Sequence, residues 1–154
     1  MSFNLFNFIN LAIVAIVFLP FIISGIRHDG PMDGLNNKIA VYLFQLGQLG
    51  SFAFMIVPVM VPGGQYVLPT TNAMYIWIFT EIFLLILYIY FWVQFFLKGN
   101  SLITFCAIMA IPPIIFIDTA MRFKHMLLLL LAVVYLAGGL MLLKDFRAHN
   151  DRFI

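Results

Sequence analysis

One carboxylic acid lies deep inside an apolar stretch, where it could bind a ligand or exchange a proton. This residue is Glu81, and every other charged residue falls in a connection, a tail or the end of an apolar stretch. Hydrocarbon favours the neutral acid, so Glu81 must face protein or water, or carry a proton. Two roles stay open: a functional acid, and a neutral hydrogen-bonded acid that locks helices together.

Four amide side chains in neighbouring apolar stretches are candidates to meet Glu81. Asn7 and Asn10 share a helix face, and so do Gln45 and Gln48, each pair three residues apart. At about 1.5 Å of rise per residue, Asn7, Asn10, Gln48 and Glu81 lie within roughly one to two helical turns in depth. We therefore predict a ligand-binding cluster of these five residues. Hydrogen bonding between helices is the alternative role for the amides.

A second polar cluster follows the fourth apolar stretch and consists of Asp118, Arg122, Lys124 and His125. Asp118 and Arg122 are four residues apart, so a continuing helix would pair them. This cluster could bind an anionic lipid headgroup or a carboxylate. The alternative is a solvated helical hairpin turn with a surface ion pair.

The sequence indicates no catalytic set, metal site or cofactor site. No histidine lies inside an apolar stretch and no carboxylates are paired there, so general acid–base catalysis has little support. The segment 27–34 contains His28, Asp29 and Asp33, but its Gly-Pro and Asp-Gly pairs are typical of turns. We expect no metal there, because a hard cation takes more oxygen ligands with fixed geometry.

The composition indicates that lipid solvates most of the chain. Of 154 residues, 64% are hydrophobic and 9% are charged, against about 45–50% and about 25% in soluble domains. A soluble fold of this size could not bury so much apolar surface. The net charge of +2 and the lack of a basic run give no support for nucleic-acid binding. The single cysteine, Cys106, excludes an internal disulfide.

Five stretches are long enough for transmembrane helices, which need about 20 apolar residues each. They cover residues 3–26, 39–61, 74–97, 102–120 and 126–143. We predict an all-α membrane protein, with one domain over residues 1–154 that forms a bundle of five transmembrane helices. Proline removes a backbone donor, so kinks are expected at Pro20, Pro58 and Pro112-Pro113. Close helix approach is expected at Gly47 and Ser51, and at residues 137–139.

The distribution of basic residues predicts the orientation. With the N-terminus outside, six basic residues face the cytoplasm and two, Arg122 and Lys124, face out. The six are Arg27, Lys38, Lys98, Lys144, Arg147 and Arg152. This arrangement follows the positive-inside rule, so we expect an outside N-terminus and a cytoplasmic C-terminus. The expected location is a cell membrane, as for many small multi-pass bacterial proteins.

Three functional hypotheses follow. The favoured one is a non-enzymatic protein that binds a small or lipid-like ligand, or a partner protein, within the bundle, as a transport component, accessory subunit or immunity-type protein. The second is a lipid-modifying enzyme that uses Glu81, or Asp118 and His125. The third is a proton- or cation-coupled transporter that acts as a dimer. Expected partners are membrane lipid and a second copy or another membrane protein, without nucleic acid.

Overall fold

The computed structural model describes residues 5–27, 30–32, 35–57, 68, 70–99 and 101–150, without the side chains of residues 149 and 150. Five helices make up this part of the chain: α1 (Leu5–Arg27), α2 (Lys38–Ile56), α3 (Thr71–Lys98), α4 (Leu102–Arg122) and α5 (Met126–Asn150). All five are long and apolar enough to cross a bilayer. The prediction of an all-helical chain with five such helices is confirmed.

The end of α2 differs from the prediction. The helix was expected to reach residue 61, but it ends at Ile56, and Val57 has extended backbone with φ −105° and ψ 116°. Val57 precedes Pro58, and a residue before proline avoids helical backbone because the proline ring crowds it. The expected kink at Pro58 falls outside the described residues.

The other helix ends follow local capping. The side chain of Thr70 accepts a hydrogen bond from the Ala73 amide at the start of α3. α5 runs to Asn150, beyond the predicted end at residue 143. Its added turns position Asp145, whose Oδ2 accepts from the backbone amides of Asn36 and Asn37 at 3.1 and 3.3 Å. This carboxylate satisfies free amides at the start of α2, where the helix dipole favours negative charge.

Successive helices run in opposite directions. The starts of α1 and α3 lie beside the ends of α2 and α4, as shown by contacts of Asn7 with Ile56 and of Trp77 with Phe6 and Phe123. We call this the N-terminal end of the bundle, and the opposite end, where Asp145 meets Asn36, the C-terminal end. α1 and α3 are therefore parallel, while α2 and α5 are antiparallel.

The interface of α2 with α5 is the most extensive in the bundle, and α4 packs against α5 beside it. Gly47 lies directly on the backbone of Tyr135, and Gly138 lies directly on the backbone of Phe44. A side-chain carbon at either glycine would overlap the facing helix. The predicted close approach at Gly47 and at residues 137–139 is confirmed.

Large apolar side chains cover the outside of the bundle. Leu5, Phe8, Phe79, Ile86 and Leu97 are each more than half exposed. Such a surface would be costly in water but is solvated by lipid tails. The exposed surface and the helix lengths together indicate a multi-pass membrane protein.

Candidate functional site

Glu81 is enclosed in the bundle and has a hydrogen bond to only one of its two carboxyl oxygens. Its side chain is 2% exposed, and its Oε1 accepts a hydrogen bond from the Thr119 hydroxyl at 2.8 Å. The Thr119 hydroxyl in turn accepts from the indole N–H of Trp77 at 3.2 Å. Among the described residues, Oε2 has no hydrogen-bond partner. The carboxyl is therefore held in a fixed orientation with one oxygen left available.

The facing helix α1 keeps one register along its contact with α3. Three contacts join residues that are 71 positions apart. They are the Phe6 and Trp77 rings at 5.9 Å, the Tyr88 hydroxyl donating to the Val17 carbonyl at 2.9 Å, and the Phe21 and Trp92 rings at 5.1 Å. Because the helices are parallel, this constant register identifies which residues lie at the same depth.

Asn10 and Glu81 are also 71 positions apart, and they lie between the first and second of these contacts. Asn10 is completely buried, and in the described part of the chain neither its amide oxygen nor its amide nitrogen has a hydrogen-bond partner. Two buried side chains with unsatisfied polar atoms thus share one level of the α1–α3 contact. Leaving such atoms unpaired in a core is costly, so this level is a candidate ligand site.

Gln48 lies deeper in the bundle than Asn10. Counted from Ile56, whose carbonyl bonds Asn7, Gln48 is about 12 Å along α2, while Asn10 is about 4.5 Å beyond Asn7 on α1. Gln48 is buried and lies beside the Tyr135 hydroxyl, although among the described residues neither the Gln48 amide nitrogen nor that hydroxyl has a hydrogen-bond partner. Gln48 therefore belongs to a second polar level, below that of Glu81.

Asn7 and Gln45 have different positions from the rest of the predicted cluster. The Asn7 amide donates to the Ile56 carbonyl at 2.8 Å and so satisfies a free carbonyl at the end of α2. This contact supports the structural alternative for Asn7. Gln45 is exposed on the surface of the bundle and does not join Gln48 in the interior.

The second predicted cluster is divided by the fold. Asp118 and Arg122 form an ion pair of 2.7 Å on one face of α4, and Lys124 is exposed in the turn that follows, with a positive φ of 54°. His125 is instead fully buried. The arrangement matches the hairpin turn with an ion pair, and it does not bring the four side chains together as an anion site.

His125 joins the start of α5 to the end of α2. Its Nδ1 accepts from the Leu128 amide at 3.3 Å, and its Nε2 lies 3.5 Å from the Val57 carbonyl. Accepting at Nδ1 requires the neutral ring with its proton on Nε2. Burial lowers the pKa of His125 below its ordinary value, which favours this neutral form.

Sequence reasoning missed Thr119, Trp77 and Tyr135. A signal for the first was present, because only three residues separate α3 from α4 and Lys98 must lie near Leu102. Counting equal steps away from that connection places Thr119 opposite Glu81. Tyr135 could not be placed beside Gln48 by such a count, because the long connection after α2 does not fix the level of α2 against α5.

Two surface grooves lie at the C-terminal end, far along the helices from Glu81. One of about 460 Å³ runs between α4 and α5, and its lining includes Cys106, Ala110 and Arg147. The other, of about 320 Å³, is lined in part by Asn37 and Asp145. Neither groove belongs to the site at Glu81.

Within the described ranges, no group of three or more histidine, cysteine or acidic side chains could hold a metal ion. His28, Asp29 and Asp33, which the sequence places in a turn, lie outside those ranges.

No family model, curated protein or solved structure matches this chain. The function must therefore be inferred from the site alone.

Proposed function

We propose that this chain is a non-enzymatic membrane protein whose bundle binds a small polar ligand at Glu81, as a transport component, accessory subunit or immunity-type protein. One observation carries the proposal: Glu81 and Asn10 present unsatisfied polar atoms at one buried level of the α1–α3 contact. A ligand that fits there donates a hydrogen bond or carries positive charge, because it must complement a carboxyl and an amide oxygen.

The half-satisfied carboxyl favours a binding role over a purely structural one. A structural acid in a bundle is expected to have both oxygens paired, since each unpaired polar atom in hydrocarbon costs free energy. Here the Trp77–Thr119 chain fixes Oε1, while Oε2 has no hydrogen-bond partner in the part of the chain that the structure describes. This arrangement orients a carboxyl toward a ligand before the ligand arrives.

The contacts at the N-terminal end give little support to the lipid-enzyme alternative. One of the two residue sets considered for that hypothesis, beside Glu81, was Asp118 and His125 as free acid–base groups. Asp118 pairs with Arg122, and the His125 ring caps α5 while facing the end of α2. Both side chains therefore have structural contacts that catalysis would have to break.

The proposed location is a cell membrane, with the N-terminal end of the bundle outside. The C-terminal end carries Arg27, Lys38, Lys98, Lys144 and Arg147, while the N-terminal end carries Arg122 and Lys124. This asymmetry supports a cytoplasmic C-terminus. A reporter fused after Ile154 that is active only in the cytoplasm is expected to be active, and the matching periplasmic reporter is expected to be silent.

Ligand binding can be tested by thermal unfolding of the purified protein in detergent. The probes are protons, lithium, sodium and methylammonium, applied at constant ionic strength to the parent, Glu81→Gln and Thr80→Val proteins. Thr80 is the half-buried residue before Glu81, and its hydroxyl donates to the Ile76 carbonyl of its own helix, so its variant is a matched control. A ligand that binds only the folded state raises the melting temperature.

We expect at least one probe to shift the melting temperature of the parent and of Thr80→Val by a different amount from that of Glu81→Gln, whose remaining response to protons comes from His125. An equal response of all three proteins to every probe would show that Glu81 binds none of them and would remove the basis of the proposal. Size-exclusion profiles and helical circular dichroism establish that the variants remain folded.

A further inference from the structure

The buried side-chain atoms that lack hydrogen-bond partners are not scattered through the bundle. Within the described part of the chain they belong to six residues, all in the interior. These residues are Asn10, Gln48, Ser51, Glu81, Trp92 and Tyr135. Most polar atoms in a protein core are paired, so a series of exceptions along one core needs an explanation.

These groups descend from the N-terminal end of the bundle in steps of a few ångströms. Along α2, counted from Ile56, Ser51 lies about 7.5 Å and Gln48 about 12 Å deep. Tyr135 is level with Gly47, which rests on its backbone, so it lies next to Gln48. The Asn10–Glu81 level comes one step above Ser51. Trp92 lies eleven residues beyond Glu81 on α3 and so about 16.5 Å deeper. The other five groups span roughly the first half of a bilayer core that is about 30 Å thick.

The lower groups are also neighbours across the bundle. Ser51 and Gln48 are three residues apart on one face of α2 and are both buried. Gln48 lies beside the Tyr135 hydroxyl. We call Glu81, Asn10, Ser51, Gln48 and Tyr135 the polar column.

We propose that the ligand at Glu81 is an exchangeable proton and that the polar column is the first half of its path across the membrane. This inference rests on the proposed site at Glu81 and names its ligand. A proton enters from water at the N-terminal end and forms an O–H bond at Glu81 Oε2. It leaves by passing to water that the hydroxyl and amide groups of the column bind, and Glu81 returns to the carboxylate.

The pairing of a carboxyl with an amide suits a group that gains and loses a proton. When Glu81 is protonated, its Oε2–H can donate to the Asn10 amide oxygen. When Glu81 is charged, the turned amide can donate its N–H to Oε2 instead. An amide at the level of Glu81 can therefore serve either state once the two side chains meet, which a fixed donor such as the Trp77 indole cannot do.

The charges around Glu81 and the number of oxygens favour a proton over a metal cation. The charged groups that act on Glu81 are Asp118 and Arg122, which neutralise each other as an ion pair on α4. α1 presents the neutral Asn10, and α3 presents Trp77. The oxygens at this level are those of Glu81, Asn10 and Thr119, fewer than the six to eight or so that a hard cation such as calcium takes.

The first experiment asks whether Glu81 holds an exchangeable proton. Dicyclohexylcarbodiimide, an apolar reagent, couples to protonated carboxyl groups inside membranes, and intact mass spectrometry counts the adducts. We expect labelling of the parent and of Thr80→Val to fall as the pH rises, and Glu81→Gln to lack this adduct. If sodium or lithium suppressed the labelling at fixed pH, the ligand at Glu81 would be an alkali cation and not a proton. A parent that stays unlabelled at every pH would overturn the inference.

The second experiment measures proton flux into vesicles of phosphatidylcholine and phosphatidylglycerol that contain a pH-sensitive dye. A potassium gradient with valinomycin supplies the driving potential. We expect flux above that of protein-free vesicles for the parent, loss of that excess in Glu81→Gln, and reduced flux in Gln48→Leu and Tyr135→Phe. Gln45→Leu is the matched control, because Gln45 is exposed on the same helix outside the polar column.

The outcomes separate the column from the site. Flux that depends on Glu81 but is unchanged in Gln48→Leu and Tyr135→Phe would overturn the column as the path. No flux above protein-free vesicles would overturn proton conduction, while a melting temperature that responds to a probe only when Glu81 is present would leave the ligand site standing. Loss of both responses would remove the proposed function as well.

Discussion

The α2–α5 and α1–α3 interfaces join the same bundle by different means. α2 and α5 meet backbone on backbone at Gly47 and Gly138, so their distance is fixed by atoms that cannot rotate away. α1 and α3 meet through long side chains, including rings and the Tyr88 hydroxyl. The α2–α5 interface therefore sets the position of the helices. The α1–α3 interface has room for a polar site in which some atoms have no partner among the described residues.

The largest effect is expected at the glycine contact. A methyl group at Gly47 or Gly138 overlaps facing backbone, so the helices must move apart, and overpacking of this kind costs about 1–3 kcal/mol or more. Gly47→Ala and Gly138→Ala should lower the melting temperature in detergent. Gly25→Ala is the control, because a carbon added there meets nothing within 4 Å. Equal melting temperatures for all three variants would show that α2 and α5 are not held this closely.

The next largest effect is expected at the chain of donors behind Glu81. Thr119→Val removes the hydroxyl that donates to Glu81 and accepts from Trp77, and it leaves both partners buried and unpaired. Leaving such groups unpaired costs about 1–3 kcal/mol. Reversible unfolding in detergent should show this loss, and it should shrink when Glu81→Gln is already present. Additive losses in the double variant would mean that the two side chains do not interact.

A smaller effect should distinguish the two asparagines of α1. Asn7→Ala breaks the bond to the Ile56 carbonyl, and such interhelical bonds contribute about 0.6 kcal/mol on average in membranes. Asn10→Ala removes only unpaired atoms, so it should cost less stability than Asn7→Ala while changing the pH profile of Glu81 labelling. If Asn10→Ala were the more destabilising, Asn10 would be a structural residue and the α1–α3 site would lose its amide.

The smallest effect is expected from the turn that leads into α5. Burial lowers the pKa of His125, so the unfolded chain binds its proton more readily than the folded chain does. Stability should therefore be full above the ordinary histidine pKa of about 6.5 and fall as the pH drops below it. Melting temperatures measured from about pH 7.5 down to about pH 5.5, the range in which histidine titrates, would follow this loss.

The control for this prediction is His125→Asn, which keeps an oxygen to accept from the start of α5 but does not titrate. Its melting temperature should depend less on pH than that of the parent. Substituting His28 and His149 together should leave the pH dependence unchanged. If that double variant flattened the curve instead, the titrating group would lie outside the α4–α5 turn.

The relative depths of the polar residues followed from counting along helices, but their neighbours did not. Glu81 was recognisable because an acid inside hydrocarbon is rare, and Thr119 could have been placed opposite it by counting back from the short α3–α4 connection. Gln45 and Gln48 looked alike in sequence, yet one is exposed and the other buried. A helix face becomes lipid-facing or interior only when its neighbours are known, and hydrophobic periodicity is weak when lipid accepts apolar residues all round.

The sequence alone determined the five apolar helices, because a continuous apolar stretch of about 20 residues spans hydrocarbon as a helix, which pairs its backbone polar groups within itself. It also determined that one acid would lie among them. Only the tertiary structure decided which helices touch through glycines, that His125 turns inward, and that Asn10 shares a level with Glu81. These features depend on register and rotation between helices, which arise from packing many side chains at once and are not encoded in any single stretch.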